Sequence, residues 1–275
     1  MTPVLELTGI VKLFGGLRAL DQADFAVQPG EVMALVGDNG AGKSTLIKVI
    51  CGAYLPDAGT MRLRGVPARF AAPQEATDAG IATIYQELAL AGKMTVADNI
   101  FLGRELVDRR FGIPLLSRRL MRARAEALLR QLDVHIPDLD VWAEQLSGGQ
   151  RQGLAIARAM NLDAELIIMD EPTAALAVAE ARKVLNFITQ LRANGKSVVL
   201  ISHNIQDVFQ VADRVTVMRH GAAIAVRRIA SSTPEEIVGL ITGAAQVRAT
   251  LGAALIPETG HAGQPCHEPQ LEPET

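Results

Sequence analysis

Cysteine is nearly absent from this chain of 275 residues, which holds only Cys51 and Cys266. Two thiols so far apart make neither a disulfide framework nor a zinc-ligand pattern, and they suit a reducing compartment. Cys51 stands among Val49, Ile50 and Gly52 and reads as a small buried residue. A surplus of positive charge is missing too. The formal net charge of -3 gives no electrostatic footprint for nucleic acid, so no nucleic-acid partner is expected. No charge-free apolar run reaches about 18 residues, and nothing reads as a bilayer span. The first ten residues, Met1 to Ile10, lack the basic start and apolar stretch of a secretory leader. No internal repeat is visible. What remains, 49% hydrophobic and 21% charged, is the composition of an ordinary globular protein with a sizeable core.

Strand and helix signals alternate along the chain. Glu31 to Val36 is a short apolar run ending at glycine, which suits a buried strand, and Ser44 to Ile50 is helical in pattern with Gly52 as its stop. Pro73 to Ala79 reads as a short helix closed by Gly80, followed by a strand from Ile81 to Tyr85. From about Thr95 to Met160 the pattern turns mainly helical. Thr95 with Asp98 resembles a capping box, and Ser117 stands before a stripe of Met121, Ala125, Leu128 and Leu132. Strand signals return at Leu166 to Met169 and Ser197 to Ile201. Between them Ala181, Leu185, Ile188 and Leu191 share a helical face closed by Asn194-Gly195. Such alternation predicts an α/β fold with a parallel sheet and helices on its faces. Arg214 to Met218 and Ala222 to Val226 flank His220-Gly221 as a hairpin. Thr233-Pro234-Glu235-Glu236 then opens a helix that should end near Gly243.

Three short runs carry chemistry. Gly37-Asp38-Asn39-Gly40-Ala41-Gly42-Lys43-Ser44-Thr45 fits the phosphate-cradling pattern and lies between a strand and a helix, the context that pattern requires. Backbone N–H groups of Gly40, Ala41 and Gly42 can hold a triphosphate, Lys43 can reach its β- and γ-phosphates, and the Ser44 hydroxyl can ligate Mg²⁺. Asp170 and Glu171 end an apolar strand, where open α/β sheets bind ligands. Asp170 suits the Mg²⁺ and Glu171 the base for an attacking water. Leu146-Ser147-Gly148-Gly149-Gln150 opens a helical run whose first N–H groups can receive an anion.

These runs, in this order, resemble those of the nucleotide-binding subunit of an ATP-binding cassette (ABC) transporter, over roughly Val4 to Gly243. The resemblance implies a P-loop NTPase core with a small antiparallel β subdomain and an inserted helical subdomain, about residues 90–160. One ATPase domain would span residues 1–245, and residues 246–275 would be a disordered tail, rich in Pro, Glu, Gly and His after Ile256. It assigns Gln86 to the metal and the attacking water, His203 to the γ-phosphate as a switch histidine, and Phe14 to stacking on the adenine. Ser147, Gly148, Gly149 and Gln150 would hold the γ-phosphate of ATP bound to a second copy of the chain, so that two copies close around two ATP molecules.

Cys51-Gly52-Ala53-Tyr54, Ile84-Tyr85-Gln86, Asn99 to Glu105 and Ile201-Ser202-His203-Asn204 are similar to the monosaccharide (fructose- or ribose-type) importer branch. That branch implies an integral membrane permease, a periplasmic solute-binding protein acting indirectly, and a peripheral place on the cytoplasmic side of the bacterial inner membrane. Importers of branched-chain amino acids share Phe14-Gly15-Gly16-Leu17. A soluble cassette ATPase would carry coiled-coil or basic segments that are not visible here, and a binding protein without turnover fits poorly with Glu171, Lys43 and His203 together. One position departs from the family. Ala177 stands where most cassettes have aspartate, which puts the usual contact across the dimer in doubt.

Overall fold

The computed structural model describes residues 2–85, 88–110, 113–174 and 176–244. Its elements in chain order are β1 (Leu5–Phe14), β2 (Leu17–Val27), β3 (Val32–Val36), α1 (Lys43–Ile50), β4 (Ala58–Leu63), β5 (Val66–Ala68) and α2 (Pro73–Asp78). There follow β6 (Ile81–Ile84), α3 (Val96–Phe101), β7 (Val107–Arg110), β8 (Ile113–Leu116), α4 (Arg118–Gln131) and α5 (Gly148–Asn161). The last are β9 (Leu166–Asp170), α6 (Val178–Ala193), β10 (Ser197–Ile201), α7 (Ile205–Val211), β11 (Arg214–Arg219), β12 (Ala222–Arg228) and α8 (Pro234–Thr242).

The central sheet runs β12-β11-β3-β10-β9-β6, parallel throughout except for β12, which pairs antiparallel with β11 at the edge. Its inner strands are apolar at nearly every position because both faces are covered. Successive residues of β10 show why. Val198 and Leu200 join a core shared with α3, α4, α5 and α6, while Val199 and Ile201 join a second core with α1 and the N-terminal strands. In β9 Ile167 and Met169 face the first core and Leu166 and Ile168 the second. The period of two thus places one helical layer on each side of the sheet.

A second sheet, β2-β1-β4-β5, is antiparallel. Its strands have no counterpart in the residue-by-residue reading, although the resemblance implied such a subdomain. The long strands β1 and β2 slip register after Leu7, Ile10 and Lys12, so the alternation of buried and exposed residues is broken along β1.

Within residues 95–160 the helices α3, α4 and α5 are joined by the β7–β8 hairpin, which the mainly helical reading did not include, and by an irregular connection between α4 and α5. In α3 Thr95 accepts a hydrogen bond from the Asp98 N–H (3.1 Å). Ser117 stands at the start of α4 without a side-chain cap, and the fully buried face of α4 is Met121, Ala125 and Leu129, with Leu128 only partly buried. Buried Asn99 accepts from the Ala91 N–H and donates to the carbonyls of Ala91, Met94 and Thr95, which pins the segment leading into α3. At the other end Thr233 accepts from Glu236 N–H, Pro234 takes the first helical position, and Gly243 (φ 80°) closes α8. The expected tail, 246–275, lies outside the described residues.

Candidate active site

Strand β3 delivers residues 37–42 as a loop at its carboxyl end, and α1 starts at Lys43. Gly37 (φ 152°) and Gly42 (φ 101°) cannot be replaced without collision. A Cβ on Gly37 would overlap the Met218 carbonyl, and one on Gly42 would come 2.8 Å from the Ala19 carbonyl oxygen. The loop closes on itself: Ala41 N–H donates to Asp38 O (3.1 Å), and the Lys43 ammonium donates to Gly37 O (2.7 Å) and Asp38 O (3.1 Å). Burial lowers the Lys43 pKa below 10.5 against the opposing charges of Glu171, Asp170 and Asp38. The lysine is thus held inside the loop and within electrostatic reach of both acids.

Those acids come from β9. Asp170 pairs in register with Ile201 of β10, and Glu171 follows it with φ 51°, a left-handed conformation that costs a non-glycine residue about 1–3 kcal/mol. Its N–H donates to Ile201 O (3.0 Å), and its carbonyl accepts from Ala174 N–H (3.1 Å), so the neighbouring strand and the following turn hold it there. Burial raises the Asp170 pKa above 3.8, and Glu171 adds to that, while Lys43 and Lys48 oppose it. His203 leaves the end of β10 two residues after Ile201. Its Nδ1 lies 2.7 Å from Glu171 Oε2, and its backbone N–H points to the same oxygen at 3.4 Å. A carboxylate can only accept, so Nδ1 carries the proton in this contact and Nε2 is left for another partner. The loop after Glu171 is tied down by Thr173, whose hydroxyl donates to buried Asp207 of α7 (2.7 Å).

Phe14, at the end of β1, is 41% exposed, so it is no core residue. It meets Tyr54 edge-on with centroids 5.1 Å apart, and the Lys12 ammonium lies 5.5 Å from its ring. A cleft of about 480 Å³ joins Phe14 to Asn39, Gly40, Ala41, Gly42, Lys43, Ser44 and Thr45. Leu17, Arg18, Ala19, His220 and Gly221 complete its wall. His220-Gly221 registered in the sequence only as a hairpin turn. Its neighbourhood to the loop comes from two bonds, Gly221 N–H to Ala41 O (3.0 Å) and Asp21 N–H to Gly221 O (2.9 Å). Tyr54 was visible only as part of the branch resemblance.

Ser147, Gly148, Gly149 and Gln150 do not line that cleft. They open α5 with a reciprocal cap, Gln150 N–H to Ser147 Oγ (3.3 Å) and Ser147 N–H to Gln150 Oε1 (3.0 Å). Gln150 Nε2 also donates to His135 O (3.0 Å). Glu180 of α6, absent from the sequence reading, accepts from Gly149 N–H at 3.2 Å. Ala177 is exposed at the N-cap of α6 and makes no side-chain cap. Gln86, expected at the metal and the water, lies outside the described residues.

The donor set suits Mg²⁺. No group of three or more His, Cys, Asp or Glu gathers among the described residues. Mg²⁺ is bound by one or two protein oxygens together with substrate phosphates, and the Ser44 hydroxyl and Asp170 carboxylate are hard oxygen donors of that kind. Such a site, a phosphate loop beside two strand-end carboxylates, can bind a nucleotide triphosphate and direct water at it.

The family model described as ABC transporter matches residues 20–174. The chain is 48% identical over 248 residues to the fructose import ATP-binding protein FrcA of Rhizobium meliloti, covering 88% of this chain and 95% of that one. It is 43% identical over 252 residues to the xylose/arabinose import ATP-binding protein XylG of Sulfolobus acidocaldarius, covering 92% and 99%. Among solved structures it matches an ATP-binding cassette of an ABC transporter in its ADP conformation. The TM-score is 0.74 at 30% identity, over 92% of this chain and all of that one.

Proposed function

The chain belongs to the ABC transporter family, and on that premise we propose that it is the ATP-hydrolysing subunit of a bacterial monosaccharide importer. The single observation that carries hydrolysis, rather than binding alone, is the Glu171–His203 contact beside the Lys43 loop. Sugar import follows from the likeness to the FrcA and XylG proteins over nearly the whole chain.

In this reading Phe14 stacks on the adenine, the backbone N–H groups of Gly40, Ala41 and Gly42 cradle the phosphates, and Lys43 exchanges its loop carbonyls for β- and γ-phosphate oxygens. Ser44 and Asp170 would hold Mg²⁺, a role the family resemblance extends to Gln86, and a bound Mg²⁺ would supply charge neutralisation to the phosphates. Glu171 orients the attacking water and takes its proton, and His203 fixes the carboxylate and presents Nε2 to the γ-phosphate. Ser147, Gly148, Gly149 and Gln150 of a second copy close the site from the other side, so that a homodimer sandwiches two ATP molecules.

No helix among the described residues is long and apolar enough to cross a membrane. The subunit acts from the cytoplasmic face of the inner membrane, bound to a permease that a periplasmic binding protein loads. Residues 1–245 serve as the ATPase domain, with the inserted helices, about 90–160, transmitting closure to the permease.

The test is to capture tagged Glu171→Gln protein from detergent-solubilised native membranes with MgATP. An integral membrane permease in one-to-one ratio, whose cells lose uptake of one monosaccharide when this chain is deleted, is the expected result. Ribosomal or purely soluble partners would overturn the importer reading and leave the ATP site intact.

A further inference from the structure

Two features of the signature region are unused by this mechanism: the Ala177 departure and the Glu180 contact. They are linked by chain geometry. Ala177 is the N-cap of α6, and Glu180 is its third helical residue, the position from which a glutamate reaches back in a capping box. Alanine offers no side-chain oxygen for such a box. The Glu180 carboxylate instead crosses to α5, where it accepts the Gly149 N–H at 3.2 Å.

The carboxylate lies directly against the first two residues of α5, within van der Waals reach of both glycines. A first side-chain carbon on Gly148 would sit 3.4 Å from Glu180 Oε2, and one on Gly149 would sit 3.5 Å from Oε1. An anion at the N-terminus of a 14-residue helix is favoured by the helix dipole and by the charge on the hydrogen bond. The acid therefore holds, within one chain, the donor that a phosphate from a second chain requires.

The geometry points to Glu180 as an intramolecular latch: its carboxylate competes with the γ-phosphate of the partner's ATP for the Gly149 N–H, and dimer closure must displace it. This rests on the ATP-sandwich reading above.

The experiment uses the full chain in a Glu171→Gln background, where bound ATP persists. Sedimentation gives the MgATP concentration at which half the protein is dimeric, for Glu180, Glu180→Gln and Glu180→Ala. Release of one charge-assisted bond predicts a fall of about tenfold for Glu180→Ala. A smaller fall is expected for Glu180→Gln, whose neutral amide oxygen still accepts. ATP affinity measured at protein concentrations too low for dimers stays constant across the three. Glu180→Gln, which keeps the side-chain volume, guards against a folding defect in the alanine variant, and melting curves identify one directly. Equal half-points for all three, or a rise in Glu180→Gln with unchanged melting, would overturn the latch and leave the sandwich standing. If none of the three dimerises at saturating MgATP, the sandwich itself fails and the latch with it.

Discussion

Nδ1 of His203 stands 2.7 Å from Oε2 of Glu171, and the two residues leave adjacent parallel strands at paired positions, Asp170 opposite Ile201. The contact therefore depends on the sheet and not on a mobile loop. Replacing Glu171 by Gln keeps the shape but removes the proposed base, so ATP turnover should fall by about 10²–10⁴ while ATP affinity is retained. His203→Ala should lose less, roughly tenfold or more, because the carboxylate remains but is no longer oriented. Phosphate release under saturating MgATP measures both. Turnover of Glu171→Gln within tenfold of the native rate would remove Glu171 from the role of base.

Lys43 gives the second prediction. Its ammonium is bound to Gly37 O and Asp38 O, and burial depresses its pKa, so the free protein loses this charge at a lower pH than an exposed lysine would. Phosphates favour the charged form. ATP affinity should therefore begin to weaken on the alkaline side at a pH below 10.5, and Lys43→Ala should both weaken binding at least tenfold and abolish that alkaline fall. Titration of a fluorescent ATP analogue between pH 7 and 10 reads both effects. An alkaline fall that persists in Lys43→Ala would assign it to another group.

What the sequence could reveal followed from local chemistry. The Gly37–Thr45 loop, Asp170-Glu171 and the apolar strands around them are contiguous, so their meaning survives without a fold. Thr95 and Thr233 announced their helices through caps that need only three residues. The antiparallel sheet escaped a residue-level reading because register slips along β1 break the period of two. The β7–β8 hairpin escaped because arginines and short apolar pairs around Phe111-Gly112 give no strong strand signal. Tyr54 and His220 meet the cleft residues, and Glu180 meets the start of α5, only through contacts between distant segments, which spacing alone does not encode.

In the proposed reading Phe14 would separate base recognition from phosphate recognition. The ring is 41% exposed at one end of the cleft, with Tyr54 against its edge, whereas the glycine loop lines the other part. Phe14→Ala should weaken ATP binding by the roughly 1–3 kcal/mol that stacking on a base contributes, and Phe14→Trp should restore most of it. Binding of inorganic tripolyphosphate, which has no base, should be unchanged. Equal losses for ATP and tripolyphosphate in calorimetric titrations would mean that Phe14 supports the loop and does not meet the adenine.

Asp170 makes the site costly to fold. A carboxyl whose pKa rises on folding binds its proton more tightly in the fold than in the unfolded chain, and burial is the leading cause here, with Glu171 second. Its contribution to stability is then full below pH 3.8 and is lost as pH climbs through the raised folded value, so at neutral pH the ionised side chain opposes folding. Asparagine carries no such proton and no charge. Asp170→Asn should therefore melt above the native protein at pH 7, and the gap should shrink toward pH 4. The same variant should lose most of its Mg²⁺-dependent turnover, since the amide is a poor ligand for a hard cation. Calorimetry without nucleotide measures the first effect and phosphate release the second. Native protein melting at or above Asp170→Asn at pH 7 would mean that Lys43 and Lys48 already balance the buried charge, and that holding this proposed metal ligand in place imposes no strain on the fold.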